Sequence, residues 1–143
     1  MKYFVVFLAI CSSAICFSEA GELLEKVKNI AEECKNQVGA SDDDVAGLLK
    51  YEPAANDKAK CLRACTMKKF GIMDENNKLV EAAAIDYIKA VAAGDAEFEK
   101  LSTEVFNECK NTPASSDECE FAETFSSCII ENSKSKGIKI LPQ

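Results

Sequence analysis

Eight cysteines stand in this chain of 143 residues, and where they fall constrains the fold more than any other feature. Two of them, Cys11 and Cys16, lie in an N-terminal segment that reads as a removable leader. Met1-Lys2 is basic, Tyr3 to Phe17 is apolar but too short to span a bilayer, and Ser18-x-Ala20 suits cleavage. Residues 1–20 are therefore expected to be a secretory signal peptide and 21–143 one domain. An N-terminal membrane anchor is the competing reading. Cleavage leaves Cys34, Cys61, Cys65, Cys109, Cys119 and Cys128. An even set in a small secreted domain reads as a disulfide framework with no free thiol, here of three bridges. A metal site competes poorly, because the chain has no histidine and no Cys-x-x-Cys.

Cys61 and Cys65 stand four residues apart, on one face of a helix, with their side chains running alongside each other. Each is better placed to reach a separate partner than to bond its neighbour. The helix around Cys61-Leu62-Arg63-Ala64-Cys65 is thus expected to be stapled to two other parts of the fold. Cys119 and Cys128 are nine apart, about 900° of helical rotation, and face opposite sides of their helix. This geometry disfavours Cys61–Cys65 and Cys119–Cys128 and leaves the other pairings open.

Between the cysteines the hydrophobic period is helical. Leu23, Leu24, Val27, Ile30, Ala31, Cys34 and Val38 recur at three- and four-residue steps, and Gly39 closes that helix. Ser41-Asp42-Asp43-Asp44 resembles a capping box with aspartate in place of glutamate. It opens a short helix through Val45, Leu48 and Leu49, stopped by Pro53. Asn56 or Asp57 caps the central helix, whose apolar side is Leu62, Cys65, Met67 and Phe70, and Gly71 ends it. Asp74 to Lys78 is a polar turn. Val80 to Ala93 carries Ile85, Ile88 and Val91 on one side and ends at Gly94. Asp95 caps a helix with Phe98, Leu101, Val105, Phe106 and Cys109 inside, broken by Pro113. Ser115-x-x-Glu118 reads as the capping box of a last helix bearing Phe121, Ala122, Phe125, Cys128 and Ile129. No segment sustains period-two alternation, so strands are not expected. The expected fold class is all-α, a compact domain of six helices and three disulfides.

A formal charge of −7, with basic residues scattered rather than striped, argues against a nucleic-acid partner. An acidic surface also binds anionic membranes weakly. Without histidine there is no Ser-His-Asp or Cys-His arrangement and no histidine general base. Asp42-Asp43-Asp44 and Glu32-Glu33 read as a cap and a solvated face. The chain is read as a non-enzyme that needs no cofactor and no metal.

The spacing Cys34-x26-Cys61-x3-Cys65-x43-Cys109-x9-Cys119-x8-Cys128 resembles that of the insect odorant-binding proteins, the pheromone-binding/general odorant-binding family. The gaps of three and eight are the diagnostic ones. Phe70-Gly71-Ile72-Met73-Asp74 followed by Lys78-Leu79 is similar to the segment after that family's third cysteine. Asn77 stands where many members have glycine, and asparagine tolerates the same left-handed backbone. The resemblance covers 21–143 and implies the pairing Cys34–Cys65, Cys61–Cys119 and Cys109–Cys128. It also implies an apolar ligand cavity within the helices and a secreted, extracellular carrier of odorants or pheromones. The partners it implies are a small hydrophobic ligand and an odorant receptor. No stable membrane insertion is expected, and the chain is read as a monomer or weak homodimer. The alternative is a scavenger or binding protein of the same fold in saliva, venom or reproductive fluid, and transcript location separates the two.

The inward stripes supply the candidate wall. Met67 and Met73 adapt in shape, Ile88, Val91 and Leu101 are aliphatic, and Phe98, Phe106, Phe121 and Phe125 are aromatic. A filled core is the plainer reading of these residues, although crosslinks let a fold tolerate an incompletely filled one. Tyr51 and Tyr87 are read as surface hydroxyls, with one polar contact each to a guest as the alternative. The tail, Ile138-Lys139-Ile140-Leu141-Pro142-Gln143, is apolar where termini are usually polar. Ile138 and Ile140 alternate about Lys139, and Gly137 offers a hinge. Similar tails in the family form a wall or lid of the pocket; a loose tail is the competing reading. With no histidine, ligand affinity is expected to lack a steep change between about pH 6 and 7.

Overall fold

The computed structural model describes residues 21–139; the expected leader and the tail from Ile140 onward lie outside the described residues. The first helix, α1 (21–38), stops at Gly39, whose φ of 72° lets the Ala40 N–H donate to the Lys35 carbonyl at 3.0 Å. Ser41 then caps α2 (Asp42–Leu49). Its hydroxyl accepts from the Asp44 N–H while the Asp44 carboxylate accepts from the Ser41 N–H, so aspartate completes the capping box. Asn56 caps α3 (Asp57–Lys69) by accepting from the Ala59 N–H at 2.9 Å. Next, α4 (Glu81–Ala92) ends on Ala93, itself left-handed one residue before the expected Gly94. Asp95 caps α5 (Ala96–Cys109).

The last helix, α6 (Glu118–Ser135), departs from expectation at its start. Its cap is Asp117, which accepts from the Cys119 and Glu120 N–H groups, and the Ser115 hydroxyl only accepts from the Asp117 N–H. A carboxylate at the cap makes charge-assisted bonds at the positive end of the helix, which a serine farther out cannot match. Between α3 and α4 the polar turn is closed by Asp74 N–H to Lys78 carbonyl (2.9 Å) and Val80 N–H to Ile72 carbonyl (2.8 Å). Asn77 there is left-handed, with φ 60°, in the position expected of it. A single antiparallel bridge, Met73 with Leu79, is the extent of extended pairing among the described residues.

Three disulfides fasten the helices: Cys34–Cys65 joins α1 to α3, Cys61–Cys119 joins α3 to α6, and Cys109–Cys128 joins α5 to α6. This is the pairing the family resemblance implied, and α3 is stapled two ways. The bridged cysteines are 31, 58 and 19 residues apart. Loops of such length correspond to roughly 3–4 kcal/mol each in the chain-entropy account, not fully additive. Helix α3 also divides two cores. Leu62 joins Ala31, Cys34 and Val45 on one side. Ala64 and Met67 face the other, larger core formed with Met73, Ala84, Val105, Phe106, Phe121, Ala122 and Phe125.

Candidate functional site

The larger core holds the aromatic residues. Phe121 and Phe125 are four apart on α6 and so share a face, with ring centroids 6.5 Å apart and planes 12° from parallel. Phe106 of α5 meets Phe125 edge-on, at 6.2 Å and 78°. Met67 and Met73 close the group, and Ile88 and Ile138 are half-buried against it. The fold thus gathers Met67, Met73, Ile88, Phe106, Phe121, Phe125 and Ile138 in one place. Val91, Phe98 and Leu101 are half-buried and lie outside that cluster. Ile140 lies outside the described residues. Ile72 and Leu79 join the cluster, as does Ala84, which the hydrophobic pattern did not single out. Ala84 follows Ala82 and Ala83, and a run of alanines does not show which one faces inward.

Tyr51 and Tyr87, read from the sequence as surface hydroxyls, are half-buried. Tyr87 shares a face of α4 with Ala84 and Ile88, and its ring stands edge-on to Phe70 at 5.1 Å and 61°. Its hydroxyl lies near that of Tyr51. Burial, first of all, pushes both phenols above the ordinary range. Tyr51 raises Tyr87 further, whereas Tyr87 works in the opposite direction on Tyr51. Both side chains nevertheless keep accessible surface. At the rim, the Lys26 ammonium lies 5.7 Å from the centroid of the Phe70 ring.

The segment carrying Tyr51 is pinned by a buried ion pair that no local pattern announced. Arg63 of α3 and Glu123 of α6 are 6% and 15% exposed, with Nε and Oε2 3.1 Å apart. That N–H is not aimed at the oxygen, so the contact is an ion pair without a hydrogen bond between those two atoms. The other ends of both groups reach the linker after α2. Arg63 Nη2 donates to the Glu52 carbonyl, and the Ala54 N–H donates to Glu123 Oε1 at 3.2 Å. Burial pulls the Arg63 guanidinium below its usual range and the Glu123 carboxylate resists that pull.

A separate depression of about 620 Å³ runs along α1, lined by Gly21, Glu22, Glu25, Lys26, Asn29, Ile30 and Glu33. Its glutamates and lysine are exposed, so it is a solvated groove and not an apolar site. Among the described residues no group of three potential ligands is placed to hold a metal ion, and no helix is long and apolar enough to cross a membrane.

Comparison with known proteins sharpens this geometry. Residues 18–132 match the model of the PBP/GOBP family. General odorant-binding protein 19d of Drosophila melanogaster is 40% identical over 111 residues, which is 78% of this chain and 74% of the relative. The solved structure of odorant-binding protein 28a from the same fly superposes with a TM-score of 0.75 at 35% identity, covering 84% of this chain and 99% of that one. The pheromone-binding protein of the cockroach Leucophaea maderae was solved in complex with the fluorescent reporter 1-anilinonaphthalene-8-sulfonic acid. It shares the fold at a TM-score of 0.64 and 22% identity, over 71% of this chain and 87% of that one.

Proposed function

The chain belongs to the PBP/GOBP family, and on that premise we propose that it is a secreted carrier of small hydrophobic ligands. Odorants or pheromones enter the interior between α3, α4, α5 and α6 and are delivered to chemosensory receptors. The observation that carries this reading is the aromatic and methionine cluster of Phe106, Phe121, Phe125, Met67 and Met73, held inside a disulfide-fastened helical shell. Such walls demand few hydrogen bonds and adapt to the guest. That a cockroach protein of the same fold was solved in complex with an aromatic fluorescent reporter adds support. Binding, not catalysis, is the activity proposed, and the absence of histidine agrees with that.

Residues 1–20 are proposed to be removed on secretion. The tail beyond Gly137 is proposed as a movable wall. Gly137, at φ 69°, turns the chain so that the Ile138 N–H donates to the Ser133 carbonyl at 3.0 Å, and Ile138 packs on the aromatic cluster. Truncation after Gly137 should leave the melting transition intact and speed ligand exchange. A guest of about 12 heavy atoms at roughly 0.5–0.7 kcal/mol per atom gains roughly 6–8 kcal/mol, a micromolar Kd. The test is fluorescence of N-phenyl-1-naphthylamine with the secreted protein. Enhancement, reversed by medium-chain volatiles at micromolar concentration, is expected. No enhancement at any protein concentration would mean a filled core and end the carrier reading.

A further inference from the structure

We propose that the buried Arg63–Glu123 pair is a register key: it selects Cys119 as the partner of Cys61 and so sets the disulfide pairing as the chain oxidises. This role is independent of any ligand and concerns how the shell around the site is assembled.

The two cysteines of α3 create the ambiguity. Cys61 and Cys65 lie one turn apart on one face, and their partners, Cys34 and Cys119, come from α1 and α6. Exchanging those partners would give Cys34–Cys61 and Cys65–Cys119. On the α6 side the exchange needs a displacement along α3 of one turn, about 5.4 Å. Packed helices offer similar ridges and grooves at that spacing. Either bond forms by the same chemistry. Two thiols give two electrons and two protons to a glutathione disulfide, which leaves as two glutathione thiols, and one S–S bond results. Thiol chemistry therefore does not choose between the pairings, and the packed side chains must.

The charged pairs between α3 and α6 fit one register. Lys60 Nζ lies 2.8 Å from Glu120 Oε1, Arg63 Nε lies 3.1 Å from Glu123 Oε2, and Lys68 pairs with Glu118. Glu118 and Glu120 are about half exposed, so water screens those two pairs and each discriminates little. Arg63 and Glu123 are buried. A one-turn shift puts residue i+4 in the place of residue i, so Met67 would replace Arg63 and Ala64 would replace Lys60. Glu123 would then be buried against a thioether with no counter-charge. A charge stranded in this way strongly disfavours the shifted packing, whereas an apolar pair would tolerate either register.

As a stabiliser the pair is poorly built. Arg63 Nε and Glu123 Oε2 are buried, and neither has a hydrogen bond. Other polar atoms of the two groups are engaged: Arg63 Nη2 donates to the Glu52 carbonyl, and the Ala54 N–H and the Ser127 hydroxyl donate to Glu123 Oε1. An ion pair with incomplete hydrogen bonding offsets little of its own desolvation cost, and fixing register is the attested role of such buried polar groups.

The experiment reduces, denatures and reoxidises the secreted protein in a glutathione buffer at mildly alkaline pH, beside Arg63→Met/Glu123→Leu. Trypsin, aided in the variant by cyanogen bromide at position 63, separates Cys61 from Cys65, and mass spectrometry reads which of them holds Cys34. The wild type should hold Cys34–Cys65 almost entirely. In the variant the ratio of exchanged to native pairing should rise at least about tenfold. Variant molecules with the native bridges should unfold at no lower urea concentration than the wild type, because the pair adds register and not strength. Glu123→Gln, which keeps the shape and removes the charge, is expected to raise the same ratio and decides the matter should the double variant not fold. Native pairing alone in a folded variant, a mixture of pairings already in the wild type, or a native-bridged double variant that unfolds far more readily than the wild type would each overturn the proposal.

Discussion

Helices α2 and α3 end in the same hydrogen-bonded turn, yet one turns on Tyr51 and the other on Gly71. After α3 the Gly71 and Ile72 N–H groups reach back to Lys68 and Met67, as Tyr51 and Glu52 do to Leu48 and Gly47. Space does not explain the glycine, since a β-carbon there would meet only the Ala83 β-carbon at 3.9 Å. Conformation does: φ is 72°, which glycine adopts freely. Tyr51 takes up φ 55° without that freedom, and the neighbouring Arg63–Glu123 pair anchors it there. One helix end turns on glycine without strain; the other carries a left-handed tyrosine and is held from outside.

That contrast can be broken at the anchor first. Arg63→Ala should lower unfolding stability by about 3–5 kcal/mol, because Glu123 is left buried without its partner. Urea denaturation reads the effect, and a loss under about 1 kcal/mol would mean the pair does not hold the turn. Tyr51→Gly comes next. Relief of the left-handed residue returns about 1–2 kcal/mol, but the lost burial of the phenol removes about 2–3, so a net loss of about 1 kcal/mol is expected. A stabilised Tyr51→Gly protein would make the tyrosine merely a poor cap. Gly71→Ala should cost about 1 kcal/mol through conformation alone. If it is neutral, the two ends do not differ as described.

The mildest effect is one of pH. The chain has three tyrosines and no tryptophan, and Tyr3 lies in the expected leader, so a protein secreted without it reports Tyr51 and Tyr87 alone. Their folded pKa values are raised. The stability they confer is therefore fully present below the unfolded phenol value near pH ~10 and is lost as pH rises through the folded values. Phenolate absorbance should appear together with unfolding. A tyrosine that ionises reversibly near pH ~10 in the folded protein would show that it is not enclosed.

How much of this could be read beforehand follows from the range of each interaction. Ser41 with Asp44, Asn56, Gly39 and Gly71 act within a few residues, and their roles were visible in the sequence. The disulfide pairing came through family resemblance, since cysteine geometry left several pairings open. Asp117 displaced Ser115 as a cap because two acceptable cap residues stood close together and only their positions relative to the first turn decide between them. Arg63 and Glu123 are far apart in the chain, and nothing local marks them as partners. Tyr51 was illegible for a different reason: tyrosine carries no signal for a left-handed backbone, so the turn it occupies appears only in three dimensions. Phe98 and Leu101 followed the helical stripe, but a stripe gives direction and not depth.

The most direct test of an interior ligand site is a crystal structure of the secreted protein with a decanol brominated at its far end. Anomalous scattering should place the bromine among Phe106, Phe121 and Phe125. Bromine in the charged groove along α1, with the aromatic cluster closed by its own side chains, would contradict the account.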